Sequence, residues 1–223
     1  MTTRASHIKN YINGLFAVED DVLKAVKKQA NQAGLPQIEV PSNVGKLLYC
    51  LAKIQRPQRV LEIGTLAGYS TVWLARALEE GAKLISLELQ PEHLAIARQS
   101  IQMAGLNSRV ELREGDARVL IDQMIQQKEK PFDLIFIDAD KKSYPVYLDK
   151  VLQLSHPGTL ILSDNLIPKG EEIGTPVPEN WDARGIYTFN QAIATHPRLE
   201  SILATTIVGD SGRIDALGIS IVK

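Results

Sequence analysis

The chain has 223 residues, a formal net charge of −1 and 44% hydrophobic residues. This length suits one α/β domain with its own hydrophobic core and is short for two domains of ordinary size. A nearly neutral chain lacks the basic surface that binds a phosphate backbone, so we expect no nucleic-acid partner. No apolar run reaches membrane-spanning length, and the first residues have no apolar signal-peptide core. We therefore expect no membrane partner and a cytoplasmic location.

Cysteine and histidine usage limits the chemistry further. The one cysteine, Cys50, excludes an internal disulfide, and its leucine neighbours favour a small buried apolar residue over a reactive thiol. The four histidines are scattered, with no pair at metal-ligand spacing. We therefore expect any metal site in this chain to be built from oxygen ligands.

The first forty residues are predicted to be a helical extension, followed within the same domain by a catalytic α/β core at residues 41–223. Apolar residues recur at helical spacing between residues 17 and 33, and Gly34 and Pro36 end that run. A second helix is expected to begin at residues 42–43, with Ser42 or Asn43 as its cap, and to continue to about Gln55.

Strands and helices then alternate along the chain. Five short strands are predicted at residues 59–63, 83–88, 110–112, 132–137 and 159–163, with helices at 69–80, 91–104, 116–126 and 144–154. A loop at 168–180 leads to a helix at 182–195 and to two closing strands at 202–208 and 216–222, joined by a hairpin link at 209–212.

This order predicts an α/β fold, a doubly wound, mostly parallel seven-stranded sheet with helices on both faces and a C-terminal antiparallel hairpin. In such a Rossmann-like sheet, ligands bind beyond the carboxyl ends of the strands, near the point where the strand order reverses. The residues that follow the strands are therefore the first candidates for a functional site.

A glycine-rich turn follows the first predicted strand. Gly64 and Gly68 allow the backbone to turn tightly and to approach a ligand, and the helix that begins near Tyr69 offers free N–H groups to an anion. Taken alone, this spacing fits an ordinary strand-to-helix turn equally well. Leu66 lies where the dinucleotide fingerprint requires its second glycine, which disfavours a nicotinamide cofactor.

Acidic residues follow the second and third strands. Glu88 ends the second strand, twenty-four residues after Gly64, where a carboxylate can accept both hydroxyls of a ribose. In isolation Glu88 would be a surface charge, but its register with the glycine turn favours ribose binding. Asp116 and Ala117, after the third strand, are candidates for an adenine pocket on the same positional argument.

The strongest pattern lies after the fourth and fifth strands. Asp138 and Asp140 directly follow a buried apolar strand, and Asp164 and Asn165 follow the next one. A carboxylate close to a core must be paired or coordinated. Asp138, Asp164 and the Asn165 carbonyl together predict a hard-cation site, with Mg²⁺ preferred and Mn²⁺ or Ca²⁺ as alternatives. A capped loop with solvated acids is the alternative interpretation.

Lys141 is the candidate general base because it follows Asp138 by three residues. A bound cation would lower the pKa of its ammonium group, and the neutral amine could then take a proton from a hydroxyl coordinated by the metal. Lys142 is the alternative base.

Residues 62–70, 138–141 and 164–165 read EIGTLAGYS, DADK and DN. This combination resembles the cation-dependent O-methyltransferases, the family of caffeoyl-CoA and catechol O-methyltransferases, over most of the chain from about Val44 onward. The resemblance implies a class I S-adenosylmethionine-dependent methyltransferase, usually a homodimer, that methylates a hydroxyl of a small catechol-like or phenolic molecule.

The resemblance also implies residue roles. Ser70 would hold the carboxylate end of S-adenosylmethionine, Glu88 its ribose, and Asp116 and Ala117 its adenine. Lys141 would act as the base. The remaining assignments are cofactor contacts from Val44, Glu62, Gly64, Gly68 and Asp138, and metal ligation by Asp138, Asp164 and Asn165.

The chain departs from its relatives at residues 166–170 and 212–217, which border the substrate pocket in the family, so the substrate does not transfer. Trp181 and Arg184 could border that pocket or be structural, and Asp215 could contact a substrate hydroxyl or end a hairpin. The N-terminal helix would cover the site or pack in a dimer. A metal-independent methyltransferase, a non-catalytic S-adenosylmethionine-binding protein and, least favoured, a nicotinamide-dependent oxidoreductase are the competing hypotheses.

Overall fold

Seven strands form one mixed sheet in the computed structural model, which describes residues 3–169, 174–209 and 212–223. They are β1 (Arg59–Ile63), β2 (Lys83–Glu88), β3 (Val110–Glu114), β4 (Phe132–Ile137), β5 (Ser155–Ser163), β6 (Leu199–Val208) and β7 (Arg213–Val222). Their spatial order is β3-β2-β1-β4-β5-β7-β6. The first five strands are parallel, and β7 pairs antiparallel with both β5 and β6. The predicted fold class is confirmed.

The strand order reverses between β1 and β4. From β1 the chain proceeds outward through β2 to β3, and it then returns to pair β4 with the other side of β1. The turns after β1 and β4 are therefore neighbours at the carboxyl edge of the sheet, where doubly wound folds bind their ligands.

Helices cover both faces of the sheet. The described helices are α1 (Arg4–Phe16), α2 (Asp21–Gln32), α3 (Ser42–Gln55), α4 (Tyr69–Ala77), α5 (Pro91–Met103), α6 (Ala117–Gln126), α7 (Tyr144–Val151) and α8 (Trp181–Thr195), with short 3-10 helices at Lys141–Ser143 and Leu152–Leu154. Along β4, Leu134 and Phe136 join the core that contains α2 to α5, whereas Ile135 and Ile137 join the core that contains α6 to α8. A strand buried on both faces is apolar throughout for this reason.

Several predicted boundaries are wrong. The helical extension contains two helices, and the run predicted at residues 17–33 becomes helical only at Asp21, because Asp20 accepts a hydrogen bond from Leu23 N at 3.0 Å as the cap of α2. Helix α4 ends at Ala77, three residues early, where Leu78 becomes extended. Strands β5, β6 and β7 each begin three or four residues before the predicted start. For β6 and β7 the reason is their continuous pairing, which extends from Leu199 with Val222 to Val208 with Arg213.

The prediction that Cys50 is buried is also wrong, because the cysteine is exposed. Helix α3 buries Val44, Leu48 and Ala52, which recur every four residues on one face. Cys50 lies two residues from Leu48, about 200° around the helix, and so it faces solvent.

Within the described ranges, the helices are too short or too polar to cross a membrane.

Candidate active site

A cleft of about 1110 Å³ opens at the carboxyl edge of the sheet. The structure brings most of the predicted site residues to its walls, namely Gly64, Ser70, Glu88, Asp116, Ala117, Asp138, Lys141, Asp164 and Asn165. Three predicted cofactor contacts, Val44, Glu62 and Gly68, do not line it. Val44 is fully buried in the core, and Glu62 is fully buried beneath the glycine turn. These two side chains can therefore act on a ligand only through their neighbours.

The turn after β1 requires glycine at residue 64. Gly64 has φ +96°, and a Cβ atom there would lie 2.1 Å from the backbone oxygen of Asp138. Gly68, with φ +84°, precedes α4 and accepts from Val72 N at 2.9 Å. The absence of side chains brings the turn after β1 into direct contact with the turn after β4.

Glu62 lies at the centre of a buried hydroxyl network below this turn. Its carboxylate accepts hydrogen bonds from Ser70 Oγ, Thr71 Oγ1 and Ser86 Oγ, each at 2.6 Å. Burial is the largest influence on this carboxyl and raises its pKa to about 7, against the lowering effect of the three hydroxyl donors. Glu62 therefore fixes the start of α4 from inside the protein.

The contact between Ser70 and Glu62 bears on the predicted role of Ser70. The only hydroxyl proton of Ser70 is donated to Glu62, so its oxygen offers lone pairs to the cleft. Holding the carboxylate end of a ligand needs a donor. For that role the Ser70 hydroxyl has to turn away from Glu62.

Glu88 is already engaged by four donors. One carboxylate oxygen accepts from Thr65 N at 3.1 Å and Leu66 N at 2.8 Å, and the other accepts from Gln90 N at 3.0 Å and lies 3.2 Å from His93 Nδ1. The carboxylate thus braces the glycine turn, and ribose hydroxyls would have to share its oxygens. The sequence interpretation missed His93, which lies in the first turn of α5, five residues after Glu88.

Asp116 and Ala117 form the wall beyond β3. Asp116 caps α6, and its carboxylate accepts from Arg118 N at 2.8 Å and from the Arg118 guanidinium at 2.5 Å. The hydrogen bond from Arg118 is the largest influence on the pKa of Asp116 and lowers it. Asp116 is therefore held as an anion at the rim, with the small side chain of Ala117 beside it.

Asp138 and Lys141 form an ion pair in the cleft. Lys141 Nζ lies 2.8 Å from Asp138 Oδ1 and 2.7 Å from Tyr144 Oη. Burial lowers the pKa of Lys141, but the charge of Asp138 and the contact with Tyr144 outweigh it and raise the pKa above its usual range. In this arrangement Lys141 is a cation, whereas the base that the sequence predicts is a neutral amine. Tyr144, which the sequence interpretation also missed, lies at helical spacing from Lys141.

The end of β5 carries an unsatisfied carboxylate. Asp164 is 1% exposed, and its Oδ1 atom is buried without a hydrogen-bond partner. Burial raises the pKa of Asp164, and the charge of Asp138 raises it further. Asn165, in the left-handed region at φ +60°, donates its amide to Asp164 Oδ2 at 3.2 Å and to Asp215 Oδ2 at 3.2 Å. Its carbonyl oxygen has no donor within the described ranges.

This donor set fits a hard cation. The orphaned Asp164 oxygen lacks the positive partner that a buried carboxylate needs, and Asp138 and the Asn165 carbonyl line the same cleft. Only two of these three ligands are carboxylates, and the third is the amide oxygen of Asn165. Across the part of the chain that the structure describes, no group of three or more His, Cys, Asp or Glu side chains could hold a metal.

Asp140, Lys142 and Trp181 lie near the candidate metal ligands but make other contacts. Asp140 accepts from Ser143 Oγ at 2.5 Å and Tyr147 Oη at 2.6 Å, which closes the turn that carries Lys141. Lys142 is exposed, and it lines a pocket of about 700 Å³ at the cleft mouth together with Trp181. Trp181 is 65% exposed, with the Arg184 guanidinium 4.6 Å from its ring centroid. Trp181 is thus a rim residue and does not pack in the core.

The N-terminal segment contributes to the cleft wall. Residues 37–41 line the cleft, and so does Tyr69, whose hydroxyl donates to Glu19 at 2.6 Å. Glu19 also pairs with Lys27 at 2.9 Å, so these contacts tie α2 to α4.

Known proteins resemble this chain in sequence and in structure. The O-methyltransferase family matches residues 14–212. A catechol O-methyltransferase of Niastella koreensis is 40% identical over 216 residues, covering 97% of this chain and 96% of that protein. An O-methyltransferase of Bacillus cereus, solved in complex with SAH, is 40% identical with a TM-score of 0.91 and covers 97% of both chains. A putative O-methyltransferase of Klebsiella pneumoniae is 38% identical with a TM-score of 0.91, covering 99% of this chain and 98% of that one. The predicted family and enzyme class are confirmed, and the chain belongs to the O-methyltransferase family.

Proposed function

We propose that this enzyme transfers the methyl group of S-adenosylmethionine to a hydroxyl of a small catechol-like or phenolic molecule, and that it requires a divalent cation, preferably Mg²⁺. One observation carries the metal requirement, the buried and unpartnered Oδ1 atom of Asp164 beside Asp138 and Asn165. The complex of the Bacillus cereus neighbour with SAH and the name of the Niastella koreensis relative support the donor and the acceptor class.

The donor would lie along the glycine turn. Gly64 leaves the backbone open to the cleft, and Gly68, which does not line it, would act by turning the chain into α4. Ser70 would turn its hydroxyl to the donor's carboxylate, and Glu88 would share its oxygens with the ribose. Asp116 and Ala117 would border the adenine, and Asp138 would also contact the donor. Glu62 and Val44 support this surface from the core.

Asp138, Asp164 and Asn165 would hold the cation, which when bound would orient the acceptor and lower the pKa of its hydroxyl. In the transfer, the sulfonium–methyl bond of the donor breaks and an oxygen–methyl bond forms. Lys141 would take up the hydroxyl proton, so charge and atoms balance. For this role Lys141 has to enter the reaction as a neutral amine, which requires its ion pair with Asp138 to relax.

The test uses the purified protein with labelled S-adenosylmethionine, catechol and Mg²⁺. We expect methylated catechol, loss of product with EDTA, and recovery when Mg²⁺ is returned. Asp138→Ala and Asp164→Ala should abolish turnover with the far-UV circular dichroism spectrum retained. Asp149→Ala is the control, because Asp149 is an exposed carboxylate on α7.

Activity undiminished by EDTA, or a fully active Asp164→Ala protein, would refute the metal requirement in favour of a metal-independent methyltransferase. Binding of S-adenosylmethionine without product over a wide phenol panel would favour a non-catalytic binding protein. We also propose, from the family resemblance, one cytoplasmic catalytic unit that forms a homodimer, and light scattering of the purified protein tests the dimer.

A further inference from the structure

The residue that orients Asn165 belongs to a different part of the chain. Asp215 lies on β7, is fully buried, and accepts the Asn165 amide through Oδ2 at 3.2 Å. Its other oxygen, Oδ1, accepts from Ile167 N at 3.1 Å and from Ala216 N at 2.8 Å. Both oxygens of Asp215 are therefore committed to the segment that follows β5.

Arg213 balances the charge of this carboxylate. Its guanidinium lies 2.5 Å from Asp215 Oδ2 and also donates to Ile167 O at 3.2 Å. Arg213 and Asp215 are two positions apart on one strand, so their side chains share a face of the sheet. The buried carboxylate is thus paired and fully hydrogen-bonded, as a buried charge must be.

The chemistry of these neighbours determines which way the Asn165 amide points. Its two close partners, Asp164 Oδ2 and Asp215 Oδ2, are both carboxylate oxygens and can only accept. The NH₂ group of Asn165 must therefore face them, which directs its carbonyl oxygen away from them. A metal can bind that carbonyl oxygen, whereas it cannot bind the NH₂ group.

We propose that Asp215, neutralised by Arg213, is a positioning residue that sets the cation affinity of the site by holding the Asn165 carbonyl available to the metal. The inference rests on the proposed function, since it assumes that Asp138, Asp164 and Asn165 bind a divalent cation. It also assigns a role to Asp215 that involves neither the substrate nor the end of the hairpin.

Asp215→Asn should release the Asn165 amide from its single orientation. The carbonyl oxygen of Asn at 215 has to stay at the Oδ1 position, because two backbone N–H groups point at it. Its NH₂ group then takes the Oδ2 position and faces the amide of Asn165 and the guanidinium of Arg213, which are also donors. The Asn165 amide then lies between a donor at residue 215 and an acceptor at Asp164 Oδ2, so it is no longer held in one orientation and the metal loses a fixed ligand.

The measurement is Mn²⁺ binding to the purified protein, followed by electron paramagnetic resonance of the free ion without donor or acceptor. Asp215→Asn should weaken binding by about 10- to 100-fold, the usual effect of losing a partner that orients a ligand. Asp133→Asn is the matched control, because Asp133 also accepts two backbone N–H groups but lies at the opposite edge of the sheet. Its Mn²⁺ affinity should equal that of wild type.

A charge swap separates positioning from a general structural effect. In Asn165→Asp with Asp215→Asn, the new carboxylate at 165 accepts from the new amide at 215 and keeps an oxygen for the metal. The swap should recover Mn²⁺ affinity to within a few-fold of wild type. If Asp215→Asn does not fold, the swap is compared with wild type directly, and a folded swap without Mn²⁺ binding refutes the inference.

Mn²⁺ binding to wild type and to Asp215→Asn tests the metal requirement and the role of Asp215 separately. A wild-type protein that binds no Mn²⁺ overturns the proposed metal requirement and the inference with it. Wild type and Asp215→Asn that bind Mn²⁺ equally overturn the inference alone, because Asn165 would then need no partner on β7.

Discussion

The contact between Gly64 and Asp138 makes a quantitative prediction. In Gly64→Ala the new Cβ would lie 2.1 Å from the Asp138 backbone oxygen, far inside the ~3.5–4.0 Å at which carbon contacts are favourable. The positive φ of +96° adds about 1–2 kcal/mol for any residue with a Cβ atom. Overpacking against backbone, which cannot rotate away, adds about 1–3 kcal/mol. We expect a total loss of about 2–5 kcal/mol in the free energy of unfolding.

Gly81→Ala is the matched control. Gly81 has φ +84°, close to that of Gly64, but a Cβ atom there would meet nothing within 4 Å. The free energy of unfolding of Gly81→Ala should therefore fall only by the cost of the positive φ, about 1–2 kcal/mol. Urea unfolding of both variants, followed by far-UV circular dichroism, gives the comparison, with unchanged m-values as the check on two-state behaviour. If Gly64→Ala is no less stable than Gly81→Ala, the contact with Asp138 is not the reason for glycine at residue 64.

Three further predictions follow from buried or exposed single groups. Burial raises the pKa of Glu62 from 4.5 to about 7, so the folded state keeps a proton that the unfolded state loses, and the free energy of unfolding falls as pH rises across that window. In Glu62→Gln the change in this free energy between pH 4.5 and pH 7.5, measured by urea unfolding, should be smaller than in wild type by up to about 3 kcal/mol. An equal change in both proteins would refute the burial argument. Asp164→Asn should abolish catechol methylation. Its melting temperature in EDTA at pH 9 should equal or exceed that of wild type, because the substitution removes a buried unpaired charge. A lower melting temperature would mean that the carboxylate has a partner. Cys50 should react with a thiol reagent at one equivalent per chain in the native protein, and a reaction that needs denaturant would contradict its exposure.

Much of the fold follows from local patterns. The apolar run of β4 and the glycines after β1 are readable, because burial on both faces of the sheet favours apolar residues along a central strand. The early start of β5 was not predictable in this way. His156, Pro157 and Gly158 look like a loop, but they belong to β5, where the Thr159 hydroxyl accepts from His156 N and donates to Phe132 O on β4. Pairing with a neighbouring strand overrides the local preference of such residues.

The candidate site was predictable where a residue follows a strand and unpredictable where its partner comes from elsewhere. Asp138 and Asp164 could be named from their positions after β4 and β5. The orientation of Asn165 could not, because it depends on Asp215, fifty residues later. The commitment of the Ser70 hydroxyl to Glu62 was equally hidden, since a sequence shows which groups can donate and not which acceptor they choose.

The position of β7 between β5 and β6 has a consequence for synthesis of the chain. Translation delivers β5 long before β7, so a nascent chain that ends before Arg213 presents β5 as an open sheet edge with unpaired backbone groups. Such an edge invites pairing with other chains. During that interval Asn165 also lacks the buried acceptor on β7 that holds its amide. Emergence of β7 from the ribosome would therefore close the aggregation-prone edge at β5 and complete the surroundings of the candidate metal site in a single step.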